Sequence, residues 1–193
     1  MSAEKIKAIV LHQPYAALVV AGVKRWETRP SPPNGPMRPD GVRGLPGLGI
    51  EPGERVAIVA GARKPEAGLR LSGVGGEWLV DGDRLLDLCN EKVLPLPLGA
   101  VLGTVEVVEA LPMVDWPQQG RQIVVTSHAG QARALTLHEQ SAVRLDDEVL
   151  DDQLPLGDWQ PGRWAWRLAN PEPLAEPVPC KGRQGVFEIE VTW

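Results

Sequence analysis

The sequence predicts one α+β domain over residues 1–193: a small mixed β-barrel with short helices packed at its side and long loop insertions. Short β-branched and apolar runs recur along the chain, whereas few segments show helical periodicity. Hydrophobic residues make up 43% of the 193 residues, which is enough for one core. Stretches rich in proline and glycine separate the runs, as loops of a small barrel would.

The N-terminal segment predicts a strand, a short helix and a second strand. Residues 7–11 are apolar and β-branched, which is typical of a strand. Pro14 precedes the apolar run 15–21 and Gly22 follows it, so we expect a helix between them. Residues 24–29 alternate in polarity and predict the second strand.

The middle of the chain predicts a long loop followed by buried strands. Residues 30–53 hold seven Pro and six Gly, a composition that defeats both helix and strand. Such a loop is too long to be a mere connection, and we expect it to form a lid over the functional pocket. Residues 55–61 and 98–110 predict buried strands, and residues 83–93 predict a helix. On the strand 98–110 we expect Glu106 to face the barrel cleft.

The C-terminal part predicts further short strands and one acidic insertion. Strands are expected at 122–127, 132–137, 163–168 and 187–191. Residues 139–158 carry seven acidic residues against one arginine, and we expect a surface segment with weak helical character.

Tryptophan dominates the aromatic residues, with seven Trp against one Phe and one Tyr. A Trp side chain serves a core and a base-stacking surface equally well. We expect Trp26, Trp164 and Trp166 in the core, the last two on one face of their strand.

The charge is unevenly distributed. The net charge of −5 argues against nonspecific polyanion binding through bulk charge. Residues 1–80 hold 11 Lys+Arg and 7 Asp+Glu, whereas residues 81–193 hold 9 and 18. A local basic site is therefore compatible with an acidic remainder.

Several functional classes lack their sequence signatures. The two Cys and three His are scattered, so no metal spacing and no metal site are expected. P-loop, Rossmann and Ser-His-Asp patterns are missing as well, and we expect no cofactor. The N-terminus lacks an apolar signal region, and the longest strongly apolar run, 16–20, is too short to span a membrane. We expect a cytoplasmic protein with no membrane partner.

The most informative segment is residues 12–29 (HQPYAALVVAGVKRWETR). His12 and Gln13 leave a strand beside a helix start, where free backbone donors would favour an anionic or carbonyl-bearing ligand. Glu27 and Arg29 share one face of the next strand. Strict alternation places Lys24 on the other face, so a turn or bulge must redirect it if it is to meet Glu27.

This segment resembles the ASCH family of the PUA-like superfold. The resemblance lies in His12-Gln13-Pro14-Tyr15, a short helix, and then Gly22, Lys24, Glu27 and Arg29 in register. Residues 53–65, 98–109, 163–168 and 178–187 are also similar to family segments, so the resemblance covers about half of the chain.

The resemblance implies a β-barrel with a cleft lined by Lys24, Glu27 and Arg29. It also implies RNA or DNA binding, and one branch of the family hydrolyses N4-acylated cytidines. In that branch the lysine is followed three positions later by Thr, whereas this chain has Glu27 there and Thr28 one position later.

We expect the ligand-binding or nucleic-acid-binding residues to be His12, Gln13, Tyr15, Lys24, Glu27, Arg29, Arg63, Lys64, Lys181, Arg183 and Gln184. The basic members suit phosphate, and Gln13 and Tyr15 suit a base edge or face. Most also have a structural alternative: an ion pair for Lys24, Glu27 and Arg29, helix capping for Gln13, and a core position for Tyr15. For Arg63 and Lys64 the alternative is ordinary exposed charge, and for Lys181, Arg183 and Gln184 it is an exposed turn.

Two functions follow as hypotheses. The first is a domain that binds RNA or DNA, preferably single-stranded, through a basic rim and a polar pocket for a base or modified nucleoside. The alternative is an amidohydrolase that cleaves a C–N amide bond of N4-acylated cytidine or a related nucleoside, with Lys24 and Glu27 as the catalytic pair. The sequence leaves the choice between them, and the oligomeric state, open.

Overall fold

The computed structural model describes residues 3–33, 49–63, 70–73, 76–79, 96–115, 123–126, 132–135, 144–145, 148–149, 153, 156–160 and 162–192. In chain order their elements are β1 (Ala3–Leu11), α1 (Tyr15–Val20), β2 (Trp26–Arg29), β3 (Glu54–Ala60), β4 (Arg70–Gly73), β5 (Gly76–Leu79), β6 (Ala100–Asp115), β7 (Ile123–Thr126), β8 (Ala132–Leu135), β9 (Arg144–Leu145), β10 (Glu148–Val149), β11 (Trp164–Pro179) and β12 (Val186–Thr192). No helix within these ranges is long and apolar enough to cross a membrane.

Six strands form the main mixed sheet, in the order β12-β1-β3-β6-β11-β2. Strands β1 and β3 run parallel, and every other neighbouring pair in this order is antiparallel. Strand β6 also pairs with β7, which pairs with β8, and β4–β5 and β9–β10 form two small separate sheets. Among the described strands no ladder joins β12 to β2, so the sheet is open. The α+β class is confirmed, whereas the predicted closure into a barrel is not seen.

Each face of the main sheet carries its own core. The face covered by α1 holds the larger cluster, which includes Ile9, Ile58, Val105, Trp164 and Trp166. The opposite face holds a smaller cluster around Ala57, Val59, Val101 and Phe187. Strand β3 lies between two neighbours with both faces covered, which explains why its sequence is a continuous apolar run.

A β-bulge in β6 decides which side chains reach the α1 face. The register between β3 and β6 shifts opposite Gly103. Leu102 and Val105 therefore both lie on the α1 side, although strict alternation would separate them. Thr104 and Glu106 are turned to the opposite face, and the expectation that Glu106 faces the cleft is wrong.

The predicted strands coincide with observed ones: 7–11 lies in β1, 24–29 overlaps β2, 55–61 overlaps β3, 98–110 overlaps β6, 122–127 and 132–137 contain β7 and β8, 163–168 overlaps the start of β11, and 187–191 lies in β12. The predicted helix at 15–21 is α1. Trp26, Trp164 and Trp166 are buried as expected. The helix predicted at 83–93 and the central part of the 30–53 loop lie outside the described residues.

The acidic insertion was predicted to be a surface segment with weak helical character, and its described parts differ from that. Residues 144–145 and 148–149 pair as β9 and β10. Gln153 and Leu156 are 1% and 3% exposed, so this part of the segment belongs to the interior. The physical reason is that Leu156 packs against Leu18 of α1, and the Gln153 amide binds the backbone of Val23 and Arg25.

Candidate functional site

The end of helix α1 directs Lys24 into the protein. Gly22 adopts φ +72°, a left-handed conformation that glycine tolerates best. The Val23 amide then donates to Leu18 O at 2.9 Å and the Gly22 amide to Val19 O at 3.0 Å, which is the Schellman pattern. The Lys24 amide also donates to Leu18 O, at 3.0 Å. This turn supplies the redirection that lets Lys24 meet Glu27.

The Lys24 ammonium is buried and fully hydrogen-bonded. The residue is 2% exposed. Its Nζ lies 2.6 Å from Trp26 O, 2.5 Å from Leu156 O and 3.2 Å from Glu27 Oε2. An ammonium group has three N–H donors, so these three acceptors account for all of them.

Burial and charge act on Lys24 in opposite directions. Desolvation lowers the pKa of Lys24, and the Arg29 charge lowers it further. The Glu27 carboxylate opposes both, because its charge and hydrogen bond favour the ammonium form. The net direction is a lowered pKa for this lysine.

Arg29 connects the edge strand β2 with β1. Its Nε lies 3.0 Å from Glu27 Oε1, an ion pair whose direction is too poor for a hydrogen bond. Its Nη2 donates to Val10 O at 2.8 Å, and the guanidinium carbon lies 5.8 Å from the centre of the Trp166 ring. The side chains of Glu27 and Arg29 are 12% and 21% exposed, so this is the part of the cluster that solvent can reach.

Tyr15 completes the cluster from α1. Its ring centre lies 5.5 Å from Lys24 Nζ. Its hydroxyl oxygen is buried and has no hydrogen-bond partner among the described residues. Burial, and secondly the charge of Glu27, raise the pKa of Tyr15 well above its usual value, so the hydroxyl keeps its proton.

Three amides at the helix start are not the free backbone donors that the sequence predicted. The amides of Ala16, Ala17 and Leu18 all have partners inside the chain. These partners are, in the same order, His12 O at 3.2 Å, Gln13 Oε1 at 3.2 Å and Pro14 O at 3.0 Å. That expectation is wrong because the preceding turn already satisfies these donors.

Gln13 and His12 occupy different surroundings. Gln13 is 2% exposed, and its Nε2 donates to Pro97 O at 2.8 Å while its oxygen caps the helix. His12 is exposed at the end of β1. Its Nδ1 lies 3.1 Å from the position that a Cβ would occupy on Gly61.

The basic turn, residues 181–184, lies at the same end of the sheet as His12. Lys181, Arg183 and Gln184 are exposed between β11 and β12. A Cβ on Gly182 would stand 2.7 Å from Val10 Cγ2, so only glycine allows the turn to approach β1 this closely. Val10 is also the residue whose carbonyl binds Arg29.

Arg63 is exposed shortly after β3. Strands β1 and β3 are parallel and end side by side, with Leu11 opposite Ala60. Arg63 and His12 are thereby brought to the end of the sheet that carries the basic turn. Lys64 lies outside the described residues.

One part of the site was not predicted from the sequence: residues 153, 156–160 and 162–163 of segment 153–163, which pack along residues 23–29. Leu156 supplies an acceptor for Lys24. Gln153 accepts from the Arg25 amide at 2.7 Å and donates to Val23 O at 2.9 Å. Trp159, 1% exposed, packs against Trp26 with ring centres 6.4 Å apart. The apolar Leu156 and Trp159 after the acidic run are the only sequence signal for this packing.

A separate cleft of about 690 Å³ lies where β1 and β3 begin, at the other end of these strands from His12 and Arg63. Its charged lining includes Lys7, Glu54, Arg55 and Glu172, and none of the predicted site residues takes part. Two of its cations are engaged in ion pairs, Lys7 with Glu54 at 2.7 Å and Arg55 with Glu172 at 3.1 Å. Within the described part of the chain no group of three or more His, Cys, Asp or Glu side chains is placed to hold a metal ion.

No protein-family model matches the chain, and no curated protein sequence matches it. The resemblance to the ASCH family therefore rests on segment 12–29 and the shorter similar segments alone, and it stays a prediction.

Proposed function

We propose that this chain is a nucleic-acid-binding domain of the PUA-like, ASCH type, in which a base enters a polar pocket beside a basic turn. The observation on which this proposal rests is the position of Val10. Its carbonyl binds Arg29, and its side chain faces Gly182 of the basic turn. The basic turn and Arg29 therefore both contact the end of β1.

The side chains of the basic turn and of the polar pocket support these two roles, phosphate binding and base binding. The basic turn presents Lys181 and Arg183 to solvent, where they can contact phosphates without desolvation. The partly exposed Glu27 carboxylate can accept from the amino edge of a base, and Arg29 offers donors beside it. The net charge of −5 restricts binding to this local basic surface, which suits a short single-stranded segment.

The test is fluorescence anisotropy with short labelled single-stranded RNA, double-stranded RNA and single-stranded DNA, between about 50 mM and about 200 mM salt. The variant is the double substitution Lys181→Ala and Arg183→Ala. We expect weaker binding to single strands, and a salt slope reduced by about 0.7 for each phosphate contact removed.

Lys5→Ala is the matched control, because Lys5 is an exposed lysine near the other end of β1. It should bind like the wild type. Failure of the wild type to bind any of the three polymers would contradict the proposal, as would equal binding by the wild type and the double variant.

The alternative, amide hydrolysis of an N4-acylated cytidine, has one observation in its favour. Lys24 and Glu27 form a buried pair 3.2 Å apart, and the pKa of Lys24 is lowered. Against it, all three N–H groups of Lys24 are bound, so a nucleophilic lysine would first have to leave the Leu156 and Trp26 carbonyls. Turnover of N4-acetylcytidine by the wild type, followed by chromatography, would decide for hydrolysis.

A further inference from the structure

The Tyr15 hydroxyl is a buried polar group without a hydrogen-bond partner among the described residues. Buried tyrosine hydroxyls usually find a partner, and one that does not requires an explanation. Here the hydroxyl belongs to a ring that lies 5.5 Å from Lys24 Nζ, inside the proposed pocket. A missing ligand is one such explanation.

The neighbouring groups leave the hydroxyl nothing to bind. Lys24 is a donor only, and all its N–H groups already have acceptors. Both carboxylate oxygens of Glu27 face cations, Oε2 towards Lys24 and Oε1 towards Arg29. Because the hydroxyl stays protonated, its unmet requirement is for an acceptor atom.

A base would supply that acceptor. The Watson–Crick edge of each nucleobase carries an N–H donor next to a carbonyl or ring-nitrogen acceptor. The Glu27 carboxylate has lone pairs beyond those facing Lys24 and Arg29, so it can take the donor. Tyr15 is half-buried and Arg29 and Glu27 are partly exposed, so solvent reaches this side of the cluster.

We propose that Tyr15 is a specificity-determining residue, whose hydroxyl donates a hydrogen bond to the acceptor atom of a base while Glu27 accepts from the adjacent N–H. This inference rests on the proposed function and adds the contact by which a base is distinguished from a bare sugar-phosphate strand. It assigns Tyr15 a hydrogen-bonding role, through its hydroxyl, in place of base stacking.

Tyr15→Phe removes the hydroxyl alone and keeps the ring. Its effect is measured by anisotropy against two probes: a short single-stranded RNA and an abasic strand of equal length. We expect about tenfold weaker binding of the RNA, the size of one lost hydrogen bond, and unchanged binding of the abasic strand. The free variant should melt roughly 2–4 °C higher than the wild type, because an unpartnered buried hydroxyl is replaced by an apolar edge.

Tyr15 is the only tyrosine of the chain, so tyrosine-specific 13C labelling gives one NMR signal for this ring. That signal should shift when the RNA is added and stay in place with the abasic strand. Equal RNA affinity of Tyr15→Phe and wild type, or a lower melting temperature of the variant, would overturn the inference while the proposed function stands. Absence of RNA binding by the wild type would overturn both.

Discussion

Lysine, glutamate and arginine form two polar clusters in this protein, one buried beside α1 and one exposed at the cleft of about 690 Å³. The buried cluster is Lys24, Glu27 and Arg29, whose side chains are 1%, 12% and 21% exposed. The exposed cluster consists of the pairs Lys7–Glu54 and Arg55–Glu172, whose side chains are between 24% and 67% exposed. The same residue types therefore occur with very different access to water.

This difference decides what each cluster contributes. Exposed ion pairs are screened by water and salt and contribute between 0 and about 1 kcal/mol. In the buried cluster each charge has lost its hydration, so every donor must find a protein acceptor. That requirement explains why Lys24 binds two backbone carbonyls in addition to Glu27. It also makes the two clusters unequal in their response to the same substitution.

The largest expected effect is that of Lys24→Met. It leaves the Trp26 and Leu156 carbonyls without their donor and removes the cation beside Glu27. We expect the free energy of unfolding to fall by about 3–5 kcal/mol, the usual result of removing one member of a buried pair. Urea unfolding followed by tryptophan fluorescence measures it.

Lys7→Met is the matched control in the exposed cluster. It removes a lysine from a 2.7 Å ion pair and should lower the free energy of unfolding by less than about 1 kcal/mol. Similar losses for the two variants would show that burial does not separate the clusters.

The next effect concerns segment 153–163, which supplies one of the Lys24 acceptors. Gln153→Ala leaves the Arg25 amide and the Val23 carbonyl unsatisfied, and we expect a loss of about 2–3 kcal/mol. Gln160→Ala, in the same segment but exposed, is the control and should be close to neutral. If Gln153→Ala is also neutral, the segment does not hold the buried cluster together.

The local sequence was sufficient to predict the elements that carry the buried cluster, but not its contacts. The runs that form β1, β2 and β3 and the glycine that ends α1 are visible in the sequence, since alternation and turn chemistry are local. The Leu156 carbonyl that binds Lys24 lies 132 residues away, and the Val10 carbonyl that binds Arg29 belongs to another strand. Backbone acceptors of this kind leave no residue-type signature.

The wrong prediction for Glu106 and the unpredicted second half of β11 have a similar origin. Glu106 faces away from α1 because of the β-bulge at Gly103. A register shift of one residue moves every later side chain of the strand to the other face of the sheet. The second half of β11 contains Pro171, Pro173 and Pro177, which argue against a strand in sequence. It nevertheless pairs with β6 up to Pro179, with register shifts that leave gaps in the ladder.

The smallest expected effect is a pH dependence in the exposed cluster. Burial tends to raise the pKa of Glu54, but hydrogen bonds from Lys7 at 2.8 Å and from the Glu51 amide at 2.9 Å outweigh it, and the net direction is down. A carboxyl group with a lowered folded-state pKa stabilises the protein above the ordinary glutamate pKa of about 4.3, and that contribution is lost as the pH falls through the folded-state value. Glu54→Gln should therefore lose less stability than the wild type between about pH 6 and about pH 3.

Urea unfolding at both pH values checks this, and the other carboxyl groups cancel because both proteins carry them. Parallel losses in the two proteins would mean that the Lys7–Glu54 pair contributes nothing even where its geometry is best.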